Sequence, residues 1–302
     1  MKYVAPSAPL TIGGVLDDWL RLFRSSLGTC WPIALVAAAA GALVQFAVTP
    51  PAPAPGLSPW QALLHYGSTQ SGAVVFLADI GLGLIALLVY AALLTQQAAL
   101  MRGEQPFAFG TALAKGLRRL PQMVLGWVLL VLIVAAIWVP AGIGAAVLVP
   151  FRHRPGALPI AILGIIAFGL VTVYVMVRLQ LWIGVMFAEN RSGASSLGRS
   201  WDLVKGHWWR VTGLVFVSGV VVGILVWAAS AVLGMLVGFL GVHGTGPDLL
   251  VRRIQLVGAV SQVVRLLTMP LLTAVWLAIY HDLIVRREGG DLAARAEALS
   301  GK

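Results

Sequence analysis

An apolar run of roughly 20 residues is long enough to cross a bilayer as a helix. Six stretches of this chain qualify: about Leu27–Thr49, Ala73–Leu94, Met123–Val149, Leu158–Val177 with an extension to Ala188, Val211–Val242 and Val257–Val285. The residues that separate them on one side alternate at helical spacing. In IGGVLDDWLRLFR from Ile12, the side chains of Leu16, Trp19, Leu20 and Phe23 share one face, with Asp17, Asp18, Arg21 and Arg24 mostly off it. That pattern predicts a helix lying in the interface with its charges turned to water. The first span is therefore read as a membrane helix and not a cleaved leader.

Two further stretches resemble this one: FGTALAKGLRRLP from Phe109 and LGRSWDLVKGHWW from Leu197. Each opens on an apolar residue and a glycine (Gly13, Gly110, Gly198), with Leu16, Leu113 or Trp201 three positions later. The returning spans also close alike, on Glu104, Glu189 and Glu288. The pattern suggests three units, 10–104, 107–189 and 195–288, each an amphipathic helix, a span out and a span back, followed by a tail over 289–302. The fold class expected is all-α, a six-span transmembrane bundle with interfacial cytoplasmic helices.

Composition agrees with lipid as the solvent. Hydrophobic residues make up 59% and charged ones 11% of the 302 residues, and the mean hydropathy is +0.92; soluble domains carry about a quarter charged. The net charge of +10 comes from short basic runs beside apolar segments and not from one soluble basic face, so nucleic acid is not an expected partner. One side collects Lys2, Arg21, Arg24; Arg102, Lys115, Arg118, Arg119; Arg191, Arg199, Lys205, Arg210; and Arg286, Arg287, Arg295, Lys302. The other has only Arg152, Arg154, Arg252 and Arg253. This bias places both termini in the cytoplasm of a bacterial inner membrane. Outside, the longest loop is Pro50–Gly72, with Trp60 and Tyr66 as interface anchors.

Enzyme motifs are missing: there is no H-E-x-x-H, no G-x-S-x-G and no phosphate loop. The single Cys30 forms no internal disulfide and reads as a small packing residue. Outer His65, His153 and His243 with Asp248 have no metal-ligand spacing. Neither a metal nor a cofactor is expected.

Charge within the spans is the sharper signal, because a buried ion needs a partner or water. Asp79 and Arg265 stand at similar distances before their closing glutamates; they either pair and face one cavity or snorkel to the outer interface. Arg178 is about 16 Å by helical rise from Glu189. With Gln180 it would hold a lipid phosphate or an anionic substrate, or else serve as an anchor. Gln96, Gln97 and Gln180 are candidates for interhelical hydrogen bonds. Pro140 and Pro270 predict kinks, Trp208–Trp209 an interface belt, and Asp202 a surface pair with Arg199 or Lys205.

The run RLQLWIGVMFAENRSGASSLGRSWDLVKGHWWRVTG from Arg178, with TIGGVLDDWLRLFRSSL at one end and YHDLIVRREGGDL at the other, resembles the bacterial membrane-domain family named after glycerophosphodiester phosphodiesterases. The resemblance implies Arg178, Glu189, Ser200, Trp201, Gly206, Tyr280, Asp282, Arg287, Glu288 and Asp291 as family-type positions and assigns none a catalytic role. In that family the module sometimes precedes a soluble phosphodiesterase domain. The sequence reaches Lys302 without one, so that activity is not expected here.

Two functions remain open at this stage. One is a non-enzymatic scaffold or accessory factor that binds anionic lipid headgroups or another membrane protein through Arg118, Arg119, Arg199, Lys205 and Arg210. The other is a transporter or lipid-translocating protein whose polar cavity is lined by Asp79, Arg178, Gln180 and Arg265.

Overall fold

The structure is a computed structural model that describes residues 3–48, 61, 72–148, 156–239 and 247–300. Most of these are helical, with no strand among them. The helices run in the order α1 (Ile12–Val48), α2 (Gly72–Met101), α3 (Phe109–Leu148), α4 (Ala157–Leu179), α5 (Trp182–Ala188), α6 (Gly193–Val204), α7 (Trp208–Phe239) and α8 (Pro247–Ser300). Six stretches are long and apolar enough to cross a membrane, at Ile12–Val44, Ile80–Met101, Phe109–Gly144, Pro159–Ala188, Trp208–Leu236 and Thr268–Gly289. The protein is an all-α membrane protein of six spans.

The three amphipathic stretches do not end alike. In α1 and α3 the amphipathic part and the span form one continuous helix. The α1 helix carries its polar residues by turning them inward: the hydroxyls of Ser25, Ser26 and Thr29 donate to the carbonyls of Leu22, Phe23 and Ser26. The third stretch is a separate helix. It stops because Gly206 takes φ 86°, a left-handed conformation that ends helices and suits glycine. The turn through Gly206 then leads into α7 at Trp208.

The chain forms two compact units. The first comprises Met1–Ala5, Leu16–Arg118 and Val217–Val275. Its core packs Cys30, Ile33, Ala37 and Ala38 of α1 against Val89, Ala92 and Leu93 of α2 and Ala112 of α3, so Cys30 is a packing residue. The backbones of α2 and α3 meet at Gly116, where an added Cβ would lie 2.9 Å from the Ala92 nitrogen. Gln97 Nε2 donates to Ser26 Oγ at 3.1 Å and to the Pro270 carbonyl at 2.8 Å, joining α2 to α1 and α8. Gln96 instead grips a loop, bonding both the N–H and the carbonyl of Phe107. Asp18, expected on the watery face, is only 4% exposed. The Tyr3 hydroxyl donates to its carboxylate at 3.0 Å, and burial together with the Asp18 charge raises the Tyr3 hydroxyl's pKa. Of the expected apolar face Trp19 is buried and Leu16, Leu20 and Phe23 are half-buried; Leu22, not assigned to it, is buried, while Asp17, Arg21 and Arg24 are exposed as expected.

The second unit comprises Pro6–Val15, Arg119–Phe216 and Trp276–Lys302. Here α4 presents Ile160, Ile162, Leu163, Ile165, Ile166 and Leu170 outward, an apolar surface that only lipid solvates. The turn at Gln180–Leu181 then redirects the chain into α5, where Trp182 to Phe187 are all buried. Two glycines of this unit make room for close packing. A Cβ on Gly126 would lie 2.2 Å from the Trp182 ring, and one on Gly193 would lie 2.2 Å from the Gln122 carbonyl oxygen. The loop Pro50–Gly72 with Trp60 and Tyr66, and His65, Arg152, His153, Arg154 and His243, lie outside the described residues save for Gln61 and Gly72.

Candidate functional site

The polar residues of the second unit gather into three neighbourhoods. The first surrounds Glu189, which ends α5. Its carboxylate accepts from Arg191 Nε at 2.5 Å, Arg199 Nε at 3.1 Å and the Tyr280 hydroxyl at 3.0 Å. Arg199 also pairs with Glu288, so two of the three closing glutamates share one arginine of α6. Arg199 is thus engaged by Glu189 and Glu288, and among the described residues Asp202 forms an ion pair with neither Arg199 nor Lys205, the two partners expected for it. Asn190, at φ 56°, turns the chain and accepts from Arg119, which also donates to the Arg191 carbonyl. The Ser192 hydroxyl then caps α6 by accepting from the Ser195 N–H, satisfying one of its free amides.

Burial alone would raise the Glu189 pKa. The hydrogen bonds from Arg199, Arg191 and Tyr280 outweigh it and hold the carboxyl below the usual glutamate range. Arg199 is shifted the other way: burial lowers it, and its bonds to Glu288 and Glu189 raise it overall. A carboxyl depressed in the folded state stabilises the fold above its unfolded pKa, and that contribution is lost as pH falls through the folded value. Thermal unfolding in detergent should therefore be flat near neutrality and weaken below the ordinary glutamate range. E189Q should show a shallower acid dependence; an unchanged one would dissociate this cluster from acid stability.

The second neighbourhood surrounds Asp282, whose side chain is fully buried. It accepts from Arg210 Nε at 2.9 Å, from Arg286 Nε at 3.1 Å and from the Leu10 N–H at 3.1 Å. The same two arginines donate to the Leu10 carbonyl. The residue thus has both backbone polar groups held by side chains. His281 Nε2 donates to the Pro6 carbonyl at 2.8 Å nearby. Sequence reasoning missed this clamp because Leu10 contributes only backbone. The i, i+4 spacing of Asp282 and Arg286 was the signal available.

The third lies at the end of α4. Arg178 sits over the rings of Trp201, at 4.5 Å from the centroid, and Tyr174, at 5.0 Å. The two rings meet edge to face at 6.2 Å, and Trp208 stacks on Tyr174 at 6.0 Å and 28°. Trp208 Nε1 donates to the Tyr174 carbonyl, and the Ser200 hydroxyl donates to the Arg178 carbonyl at 2.8 Å. Arg178 Nε is buried without a hydrogen-bond partner. Trp209 is 81% exposed, as suits an interface belt.

The residues proposed from sequence thus part company. Of the five residues named for lipid or partner binding, Arg119, Arg199 and Arg210 are hydrogen-bonded inside the unit. Arg118 and Lys205 are exposed. Gln180 forms the turn beside Arg178 without bonding it. The side chains of Asp79 and Arg265 lie outside the described residues, so the cavity they were expected to line is not on view. Among the described residues no group of His, Cys, Asp and Glu could hold a metal ion. Seven of the positions that the resemblance singled out, Arg178, Glu189, Ser200, Trp201, Tyr280, Asp282 and Glu288, fall within these three neighbourhoods.

No curated protein and no solved structure matches the sequence. Residues 20–283 match the model of a family described as a domain of unknown function, DUF7847. That match covers most of the chain, and the protein belongs to the DUF7847 family.

Proposed function

We propose that the protein is a non-enzymatic, multi-pass protein of the bacterial inner membrane that binds anionic lipid headgroups and serves there as a scaffold or accessory factor for another membrane protein. Both termini face the cytoplasm in this reading, as the basic runs require. The observation that carries it is a set of exposed cations without a carboxylate partner among the described residues, Arg21, Arg24, Arg118 and Lys205, each in or beside an amphipathic stretch that adjoins a span. Each basic residue near an anionic membrane surface contributes about 1 kcal/mol, so four acting together give a strong, salt-sensitive preference.

The test replaces all four by glutamine in protein reconstituted with phosphatidylglycerol and phosphatidylcholine. Quenching of tryptophan fluorescence by brominated phosphatidylglycerol should weaken at least tenfold at low salt and lose its salt dependence. An unaltered preference would sink the reading.

A further inference from the structure

We infer that Arg178 and its aromatic walls form a binding site for a single phosphate group, that of a phospholipid headgroup or of free inorganic phosphate. The inference rests on the lipid-binding reading above and gives it a defined site.

A guanidinium in a membrane span needs a counter-charge or water. The described acids of the second unit do not supply one. Glu189 is bonded by Arg191 and Arg199, Asp282 by Arg210 and Arg286, and Glu288 by Arg199. Asp202 is exposed and makes no ion pair with Arg178. Among the described residues Arg178 is a span cation held in place without an anion and with a buried nitrogen that no hydrogen bond satisfies.

What holds it is apolar. Cation–π contact with Trp201 and Tyr174 offsets part of the desolvation. Those rings are themselves fixed by Trp208 and by their edge-to-face contact. A guanidinium lying over ring faces keeps its in-plane N–H donors free for oxygen. With Nε sealed in, the terminal amino groups are the ones available, and a planar pair of N–H donors fits two oxygens of one phosphate. The site also offers somewhere for an acyl chain to lie. Leu170, Val171 and Val173 are exposed on α4 just before Tyr174. The bland account is that Arg178 only complements the carbonyl end of α4, where it is the basic residue of the last turn. That account leaves the aromatic walls and the unpartnered Nε unexplained.

The test uses full-length protein released from nanodiscs of phosphatidylglycerol and phosphatidylcholine into a native mass spectrometer. One phospholipid should stay on the wild type, with retention at least tenfold lower in R178Q and R178K. R178K keeps the charge at the helix end but lacks the forked donors, and it carries the test if R178Q does not fold. A second arm titrates delipidated protein in neutral detergent with inorganic phosphate while reading tryptophan emission. A saturable response lost in R178K identifies free phosphate as the occupant; lipid retention without that response identifies the headgroup.

Lipid retention and phosphate response that are both indifferent to R178K overturn the site. The quadruple glutamine variant of Arg21, Arg24, Arg118 and Lys205 should keep its one bound phospholipid. Its effect on bulk lipid preference judges the surface reading separately, so either can fail without the other.

Discussion

Replacing Asp282 by alanine is expected to destabilise the protein by about 3–5 kcal/mol, the range for removing one partner of a buried ion pair. The carboxylate is fully buried and receives Arg210, Arg286 and the Leu10 N–H. Its loss leaves two arginines, 20% and 25% exposed at the side chain, pressed together without a counter-charge. It also strips the Leu10 amide of its acceptor, which carries a further desolvation penalty. D282N should be milder, because an amide oxygen still accepts one bond. The measurement is reversible denaturation in mixed micelles, read by tryptophan emission. A D282A protein as stable as wild type would mean that the arginines find other acceptors and that Leu10 is not held as described.

Truncating Trp182 to alanine is the second large effect. Trp182 is 2% exposed, meets Trp127 edge to face at 6.1 Å and covers Gly126. In soluble cores such a change costs about 3–5 kcal/mol. Within a bilayer the unfolded reference is lipid and not water, so the transfer part falls away and the packing part remains. A loss near the lower end, about 3 kcal/mol, is therefore expected. The reverse change, G126A, drives a methyl into the ring, 2.2 Å from its nearest atom, and should cost about 1–3 kcal/mol. The two are coupled: in a W182A background the added methyl at 126 has space and should be close to neutral. Additive losses in the double variant would show that the ring and the glycine do not share one contact.

The spans were legible because twenty apolar residues in a row have one physical solution in a bilayer, and each of the six expected stretches overlaps one of the six candidate spans, with ends that differ by as much as 15 residues. What the pattern did not carry was the behaviour of single polar residues. Asp18 reads as a surface charge on a helical wheel, yet it is buried because Tyr3, from outside the periodic stretch, supplies its hydrogen bond. Arg199 reads as a surface cation, yet Glu189 and Glu288 converge on it from distant parts of the chain. Arg178 was recognisable as an unusual charge, but its aromatic walls depend on the break at Gly206, which brings Trp201 and Trp208 back beside Tyr174. A lone glycine between two amphipathic patterns looks the same whether it stays helical, as Gly116 does, or turns left-handed, as Gly206 does. The difference lies in the packing, where Gly116 is pressed against α2 and Gly206 meets nothing within 4 Å.

The grip on Leu10 has a bearing on how the protein is made. Leu10 is bonded to Asp282 across 272 residues of chain. Ribosomes add roughly 5–20 residues each second, so the first segment to be synthesised waits tens of seconds for the last span to appear. Until then the Leu10 N–H has no carboxylate acceptor, its carbonyl lacks the Arg286 donor, and Arg210 has no counter-charge. A nascent chain that stalls before Asp282 therefore leaves Arg210 without its carboxylate and the Leu10 N–H without its acceptor.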